Sequence, residues 1–167
     1  ALALLLARYL GWPTVVVKRR VGAGGIGQEC FAKGATPAGW RMDQPALIQP
    51  FLPSIQTEGE LSFIFIAGAL SHALVKRAAP GDYRIQSLYG GRESALDPAP
   101  ADRQAAEAVL AMLPFEQAPV YARIDMVRLP GGALAVIEAE LIEPYLYPEQ
   151  GPNLGAMLAE ALLGLAR

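Results

Sequence analysis

The sequence predicts an α+β protein dominated by antiparallel strands and gathered into two lobes, and three observations carry that expectation. Runs rich in β-branched and aromatic residues come in pairs around glycine turns: 14–18 with 26–33, 61–66 with 69–77, and 121–129 with 133–142. Apolar residues at helical spacing are confined to three segments, 2–10, 101–113 and the stretch from Asn153 onward. A further apolar run, Ala46 to Phe51, is closed by Pro53. This break separates an expected small lobe over 1–53, holding a glycine-rich loop, from a larger lobe over 54–167, holding an acidic hairpin.

Taken in order, Leu2 to Leu10 reads as a helix ended by Gly11-Trp12-Pro13. Thr14 to Lys18 and Ile26 to Lys33 then form a hairpin with glycines at its tip. The stretch from Ala79 to Pro100 holds glycines and prolines with little periodicity and reads as an ordered loop. Asp102 stands near the start of the next helix, where its charge suits the helix dipole. The last helix carries Leu154, Met157, Leu158, Ala161, Leu162 and Leu165 on one face, a core stripe.

Composition narrows the functional classes. A chain of 167 residues buries a substantial core without staples. Its 53% hydrophobic content contains no uninterrupted apolar run near the roughly 20 residues of a membrane span. A net charge of −2 argues against a nucleic-acid partner, which calls for a basic excess. Cys30 is the sole cysteine, which excludes an intrachain disulfide and suits a cytoplasmic setting; a buried strand thiol is expected rather than a nucleophile. The first residue is Ala1, already inside an apolar helical pattern, so the chain reads as a fragment.

Gly22-Ala-Gly-Gly-Ile-Gly27 satisfies G-x-G-x-x-G, the pattern of an NAD-dependent oxidoreductase, but that fingerprint must open a helix and Gln28 to Gly34 is a weak one. A P-loop also fails, because its lysine follows the glycines whereas Lys18 precedes them. Two readings stay open: a mobile tip whose backbone N–H groups, at Gly24, Gly25 and Ile26, approach phosphate oxygens with Lys18 as a point charge, or a glycine turn without a ligand.

The second constellation is the hairpin 121–143. With Gly131-Gly132 as a two-residue turn, Pro130 pairs with Ala133, Asp125 falls opposite Glu138, and Arg123 opposite Glu140. Alternation then places Asp125, Glu138 and Glu140 on one face, and Ile124, Ile137 and Leu141 on the core side. Facing carboxylates repel by a few tenths to about 1 kcal/mol, which a divalent cation would offset; all-oxygen ligands suit Mg²⁺. The competing reading is a solvated acidic face with Arg123 paired to Glu140. His72, the sole histidine, has no partner at ligand spacing and reads as a locally bonded strand residue.

A phosphate clamp and an oxygen-rich cation site in one chain resemble the ATP-grasp superfamily. The order matches along nearly the whole chain: Lys18 before the glycine loop, the hinge strand A-L-I-Q-P-F-L-P, the acidic step T-E-G-E-L-S, then K-R-A-A-P-G-D-Y-R, and finally Asp125 with E-A-E-L-I-E-P. The similarity is to the branch of glutathione synthetases, ribosomal-protein glutamate ligases and cycloserine-forming ligases. It implies two lobes of largely antiparallel sheet with packed helices and the nucleotide between them. It also implies ATP and Mg²⁺ as cofactors and a small amino acid or peptide as substrate, and it leaves homo-oligomerisation open.

By that resemblance, Lys18 contacts phosphate together with Gly24, Gly25 and Ile26. Gln49, Phe51 and Leu52 frame the adenine, and Glu60 holds the ribose, with Glu58 as the alternative. Lys76 and Arg84 face the triphosphate and the reacting acyl group, and Asp125, Glu138 and Glu140 hold Mg²⁺. The implied reaction phosphorylates a carboxylate, and an amine displaces the phosphate. Two departures stand out: many relatives carry Asn at the position of Glu140, and the family has an N-terminal domain with an upstream lysine ahead of the matched segment. A non-catalytic nucleotide-binding or assembly module is the alternative function.

Overall fold

The structure is a computed structural model describing residues 11–22 and 24–166; the expected helix at 2–10 lies outside them. The chain divides into two compact units, Ala1–Pro53 and Ser54–Arg167.

In the first unit, β1 (Thr14–Arg19) is the centre of a three-stranded antiparallel sheet, between β2 (Glu29–Ala32) and β3 (Ala46–Pro50). Three consecutive valines suit a central strand covered on both faces, and all three are buried. Val15, Val17 and Phe31 form a small core with Trp12, Trp40, Met42 and Ile48, closed by an edge-on contact of Phe31 with Trp40 at 4.8 Å between ring centroids. The register pairs Val16 with Cys30 and with Gln49, and Lys18 with Leu47, so Lys18 and Gln49 share the opposite face. β2 is shorter than expected. Ile26 stays in the turn because Gly24, Gly25 and Gly27 all take positive φ, which a strand cannot. Cys30 is half-buried rather than buried.

The second unit is built on a five-stranded antiparallel sheet in the order β6-β5-β4-β7-β8. Its strands are β4 (Glu60–Ile66), β5 (Ala69–Arg77), β6 (Arg92–Leu96), β7 (Tyr121–Arg128) and β8 (Leu134–Glu140). The helices are α1 (Ser54–Thr57), α2 (Pro100–Ala111) and α3 (Leu154–Leu165). Every residue of β4 is buried, because it lies mid-sheet with cover on both faces. Leu61, Phe63 and Phe65 point to one side, with Ile124, Met126 and Ala106 of α2. Ile64, Ile66 and Leu74 point to the other, against Leu154, Met157, Leu158 and Ala161 of α3. Each such fully buried side chain contributes about 1.5–3 kcal/mol.

Several expectations need correction. The stretch read as loop contains β6, which pairs with β5 from Arg77↔Arg92 to Ala73↔Leu96; as a short edge strand of mixed polarity it has no alternation to betray it. The β7–β8 turn has three residues, with Leu129 N–H bonded to Ala133 and only Gly132 at positive φ, so Pro130 does not pair with Ala133. A bulge at Ile137 then restores the inner register, giving Asp125↔Glu138 and Arg123↔Glu140. The two irregularities cancel at the acids. They do not cancel further out: Leu134, not Ile137, packs against the core. In α3, Leu162 and Leu165 are exposed, so the apolar stripe is buried only over its first two turns.

Arg128 locks this end of the sheet. Its guanidinium donates to both carboxylate oxygens of Glu58, to Asp102 in the first turn of α2, and to the Gly132 carbonyl, while its own carbonyl accepts from Ser54.

Candidate active site

One face of the large sheet carries Glu60, Lys76, Arg123, Asp125, Glu138 and Glu140, and the alternation of four strands is what gathers them. Glu60 pairs with Lys76 across β4–β5, Ser62 with Asp125 across β4–β7, and Asp125 with Glu138 across β7–β8. Ligand oxygens of Asp125, Glu138 and Glu140 lie within 4.8 Å of one another, an arrangement suited to a hard cation such as Mg²⁺.

Asp125 is the buried centre of the group, with its side chain 2% exposed. Its Oδ1 accepts from Ser62 Oγ at 2.5 Å and from Arg123 Nε at 3.1 Å, and lies 3.2 Å from Lys76 Nζ. Lys76 donates to Glu60 Oε1 at 2.7 Å. Arg123 also donates to Glu140 and, at 3.0 Å, to the Tyr145 carbonyl. Burial would lower the pKa of Lys76, but attraction by Glu60 and then Asp125 outweighs it and holds the ammonium firmly protonated. Burial drives the Glu60 carboxyl up to about 7, more than Lys76 pulls it down. Glu140 is likewise raised by burial, against the pull of Arg123. Glu60, Asp125, Glu138 and Glu140 thus outnumber Lys76 and Arg123 on this face, a surplus of acids that a divalent ion would offset.

The expected site residues fall into distinct places. Asp125, Glu138 and Glu140 come together and Arg123 is paired to Glu140, but Asp125 is buried rather than part of a solvated face. Lys76 is buried in the same cluster. Glu60, with an implied ribose contact, faces Lys76 with its side chain 8% exposed, and Glu58 is held by Arg128. Arg84 lies apart from these ion pairs. It is bonded through Nε and Nη2 to Asp82 and stacked on the Tyr89 ring at 3.7 Å from its centroid. Asp82 is itself fixed by the Tyr83 and Arg84 N–H groups, and these bonds to Arg84 hold its carboxyl well below the usual range.

In the first unit, Lys18 and Gln49 share a sheet face, and Phe51 donates its N–H to the Thr14 carbonyl, which anchors the segment leading to Leu52. Gly24 and Gly25 sit in the turn with Ile26, and Glu29 enters a strand rather than a helix, which removes the dinucleotide reading. At Gly27 an added Cβ would stand 2.7 Å from Arg19 Nε, so the loop packs back on β1 there. His72 is bonded locally, its Nδ1 3.1 Å from Ser71 Oγ.

No family model matches the chain. The crystal structure of the D-cycloserine synthetase DcsG superposes over 99% of this chain and 61% of its own, with a TM-score of 0.82 and 26% identity. The cycloserine biosynthesis protein DcsG of Streptomyces lavendulae is 31% identical over 125 residues, 70% of this chain and 42% of that protein. The chain has the fold of the ATP-grasp ligases.

Two further ATP-grasp structures share the fold alone. D-alanine–D-alanine ligase from Bacillus anthracis matches 96% of this chain and 56% of its own with a TM-score of 0.63 at 15% identity. The ATP-grasp ligase PsnB, in complex with a phosphomimetic variant of minimal precursor, Mg and ADP, matches 99% and 51% with a TM-score of 0.66 at 13% identity. The chain therefore spans about half of each relative.

The sequence pairs Arg123 only with Glu140, whereas the structure also ties it to Asp125 and the Tyr145 carbonyl. The signal was available: the spacing R-x-D on one strand puts a guanidinium and a carboxylate on the same face. Tyr145 and Tyr147 had no such signal, because they lie beyond the hairpin in a segment without periodicity.

Proposed function

We propose that this chain is the nucleotide- and metal-binding core of an ATP- and Mg²⁺-dependent ligase that joins a carboxylate to an amine, or forms a related C–N bond, through an acyl phosphate. The observation that carries the reading is the convergence of the Asp125, Glu138 and Glu140 carboxylates beside Lys76 and Arg123 on a DcsG-like fold.

The three acids would hold Mg²⁺, which supplies charge neutralisation for the phosphates of ATP. Lys76, kept protonated by its two acids, adds a fixed positive charge beside that site. Arg123 is held in place by Asp125, Glu140 and the Tyr145 carbonyl, so a guanidinium is ready for oxyanion charge as the carboxylate is phosphorylated and then attacked. Arg84 would serve the same anion from its Asp82–Tyr89 cradle. Lys18, Gly24, Gly25 and Ile26 would meet the phosphates, and Gln49, Phe51 and Leu52 the adenine. In this scheme the side chains position and neutralise, and none acts as a nucleophile. The acceptor is a small amino acid or peptide, and the lone Cys30 and the use of ATP support a cytoplasmic setting.

The test is release of ADP from Mg·ATP by the protein over a panel of amino acids and short peptides. Turnover should be lost in Asp125→Asn and Glu138→Gln; turnover unchanged in both would refute the metal assignment. A second reading is nucleotide binding without turnover, favoured by Arg84 being tied to Asp82 and Tyr89 apart from the acidic cluster. Calorimetric binding of Mg·ATP with no ADP release under any acceptor would favour it.

A further inference from the structure

The segment Glu143–Glu149 lies beyond the acidic hairpin and belongs to no helix or strand. Two of its non-glycine residues, Glu143 and Tyr147, take positive φ, at 47° and 50°. Such a conformation is unfavourable for a β-substituted residue and persists only where surrounding contacts impose it. The contacts are with the site. Tyr147 presents its ring to both buried cations, 5.4 Å from Lys76 Nζ and 5.7 Å from the Arg123 guanidinium, and the Tyr145 carbonyl accepts from Arg123. Tyr145 is stacked edge-on against Tyr147 at 4.8 Å and is 56% exposed. Its hydroxyl donates to Glu149 at 3.2 Å.

We infer that this segment is the substrate-selecting wall of the site, with Tyr145 the specificity-determining residue for an organic ammonium group and Tyr147 the positioning residue that sets Tyr145 against Arg123 and Lys76. The chemistry follows from the arrangement. The outward Tyr145 ring offers a π face with the Glu149 carboxylate at its hydroxyl edge, which suits a positively charged amine. Glu93, across from Lys76 on the sheet, adds negative charge near Tyr145 and contributes to the raised pKa of its hydroxyl, after burial and Glu149. This inference rests on the ligase reading only for its biological meaning, since the ammonium subsite is a binding property that needs no ATP.

The experiment is an NMR titration of the 167-residue chain labelled with ¹³C in its six tyrosine rings. The Tyr145 signal is assigned by its loss in Tyr145→Phe. Glycine ethyl ester, cationic at neutral pH, is the probe; N-acetylglycine ethyl ester is its neutral counterpart, with potassium chloride as the ionic-strength control. Glycine ethyl ester should shift the Tyr145 and Tyr147 signals saturably, at least tenfold more tightly than the neutral ester. Glu149→Gln should weaken that binding at least threefold, with the other tyrosine signals unmoved. Equal shifts from both esters, or none from either, would overturn the inference. Saturable, charge-selective shifts in a protein that releases no ADP would instead leave the subsite standing and remove the ligase reading.

Discussion

Lys76 stands directly across from Glu60 in the β4–β5 ladder, and their charged ends meet at 2.7 Å with both side chains less than a tenth exposed. Removing one member leaves the other charge without its partner in a poorly solvated place. Lys76→Met should therefore destabilise the chain by about 3–5 kcal/mol, and the double variant with Glu60→Leu should recover a large part of the loss. Urea denaturation of both proteins measures the difference. Equal stability of the single and double variants would show that the pair is not coupled.

The same pair makes stability depend on pH. The folded pKa of Glu60 is raised by burial from its ordinary value of 4.5 to about 7, so the folded state holds more protons than the unfolded state between those values. The stabilising contribution is complete below about 4.5 and is lost as pH rises through about 7. Glu60→Gln should flatten the pH profile of unfolding over that window by roughly 1–3 kcal/mol. A wild-type profile that rises across the window would reverse the assigned sign.

If Asp125, Glu138 and Glu140 hold a divalent ion, Mg²⁺ should raise the melting temperature of the wild type more than that of Glu138→Gln. Affinity for Mg²⁺ should fall at least about tenfold in that variant. Glu138 is the informative position because it is exposed, so its replacement leaves packing alone. Thermal melts across a magnesium series decide the matter, with potassium chloride at matched ionic strength.

Ala67 and Gly68 form the two-residue turn between Ile66 and Ala69, and both take positive φ, 46° and 84°. Such a turn favours Asn or Gly at its first position. Ala67→Asn should stabilise the chain by about 0.5–1 kcal/mol, since alanine is held there in a left-handed conformation. A chemical melt shifted the other way would mean that the alanine methyl has a packing role.

The strands were legible where a valine or phenylalanine run coincided with burial on both faces, as in β1 and β4, and where glycine marked a turn, as at Gly68 and Gly132. They were illegible where the edge of the sheet removed the need for alternation, as in β6. At the site, Asp125, Glu138 and Glu140 could be read because pairing across a hairpin is a matter of counting, and the count survived an error in the turn because Ile137 bulges. The burial of Lys76 and Glu60 against each other could not be read, since it depends on strands adjacent in space. Arg128 gave no hint of its three-way clasp for the same reason: Glu58 and Asp102 are 70 and 26 residues away.

The kink at Ile137 has an evolutionary corollary. Because it lies between the outer rungs of the hairpin and the rungs bearing Asp125 and Glu138, it can absorb a change of phase on one side without passing it to the other. Among descendants of this chain, a two-residue turn at the tip and loss of the kink should therefore occur together, since that combination keeps Asp125 opposite Glu138.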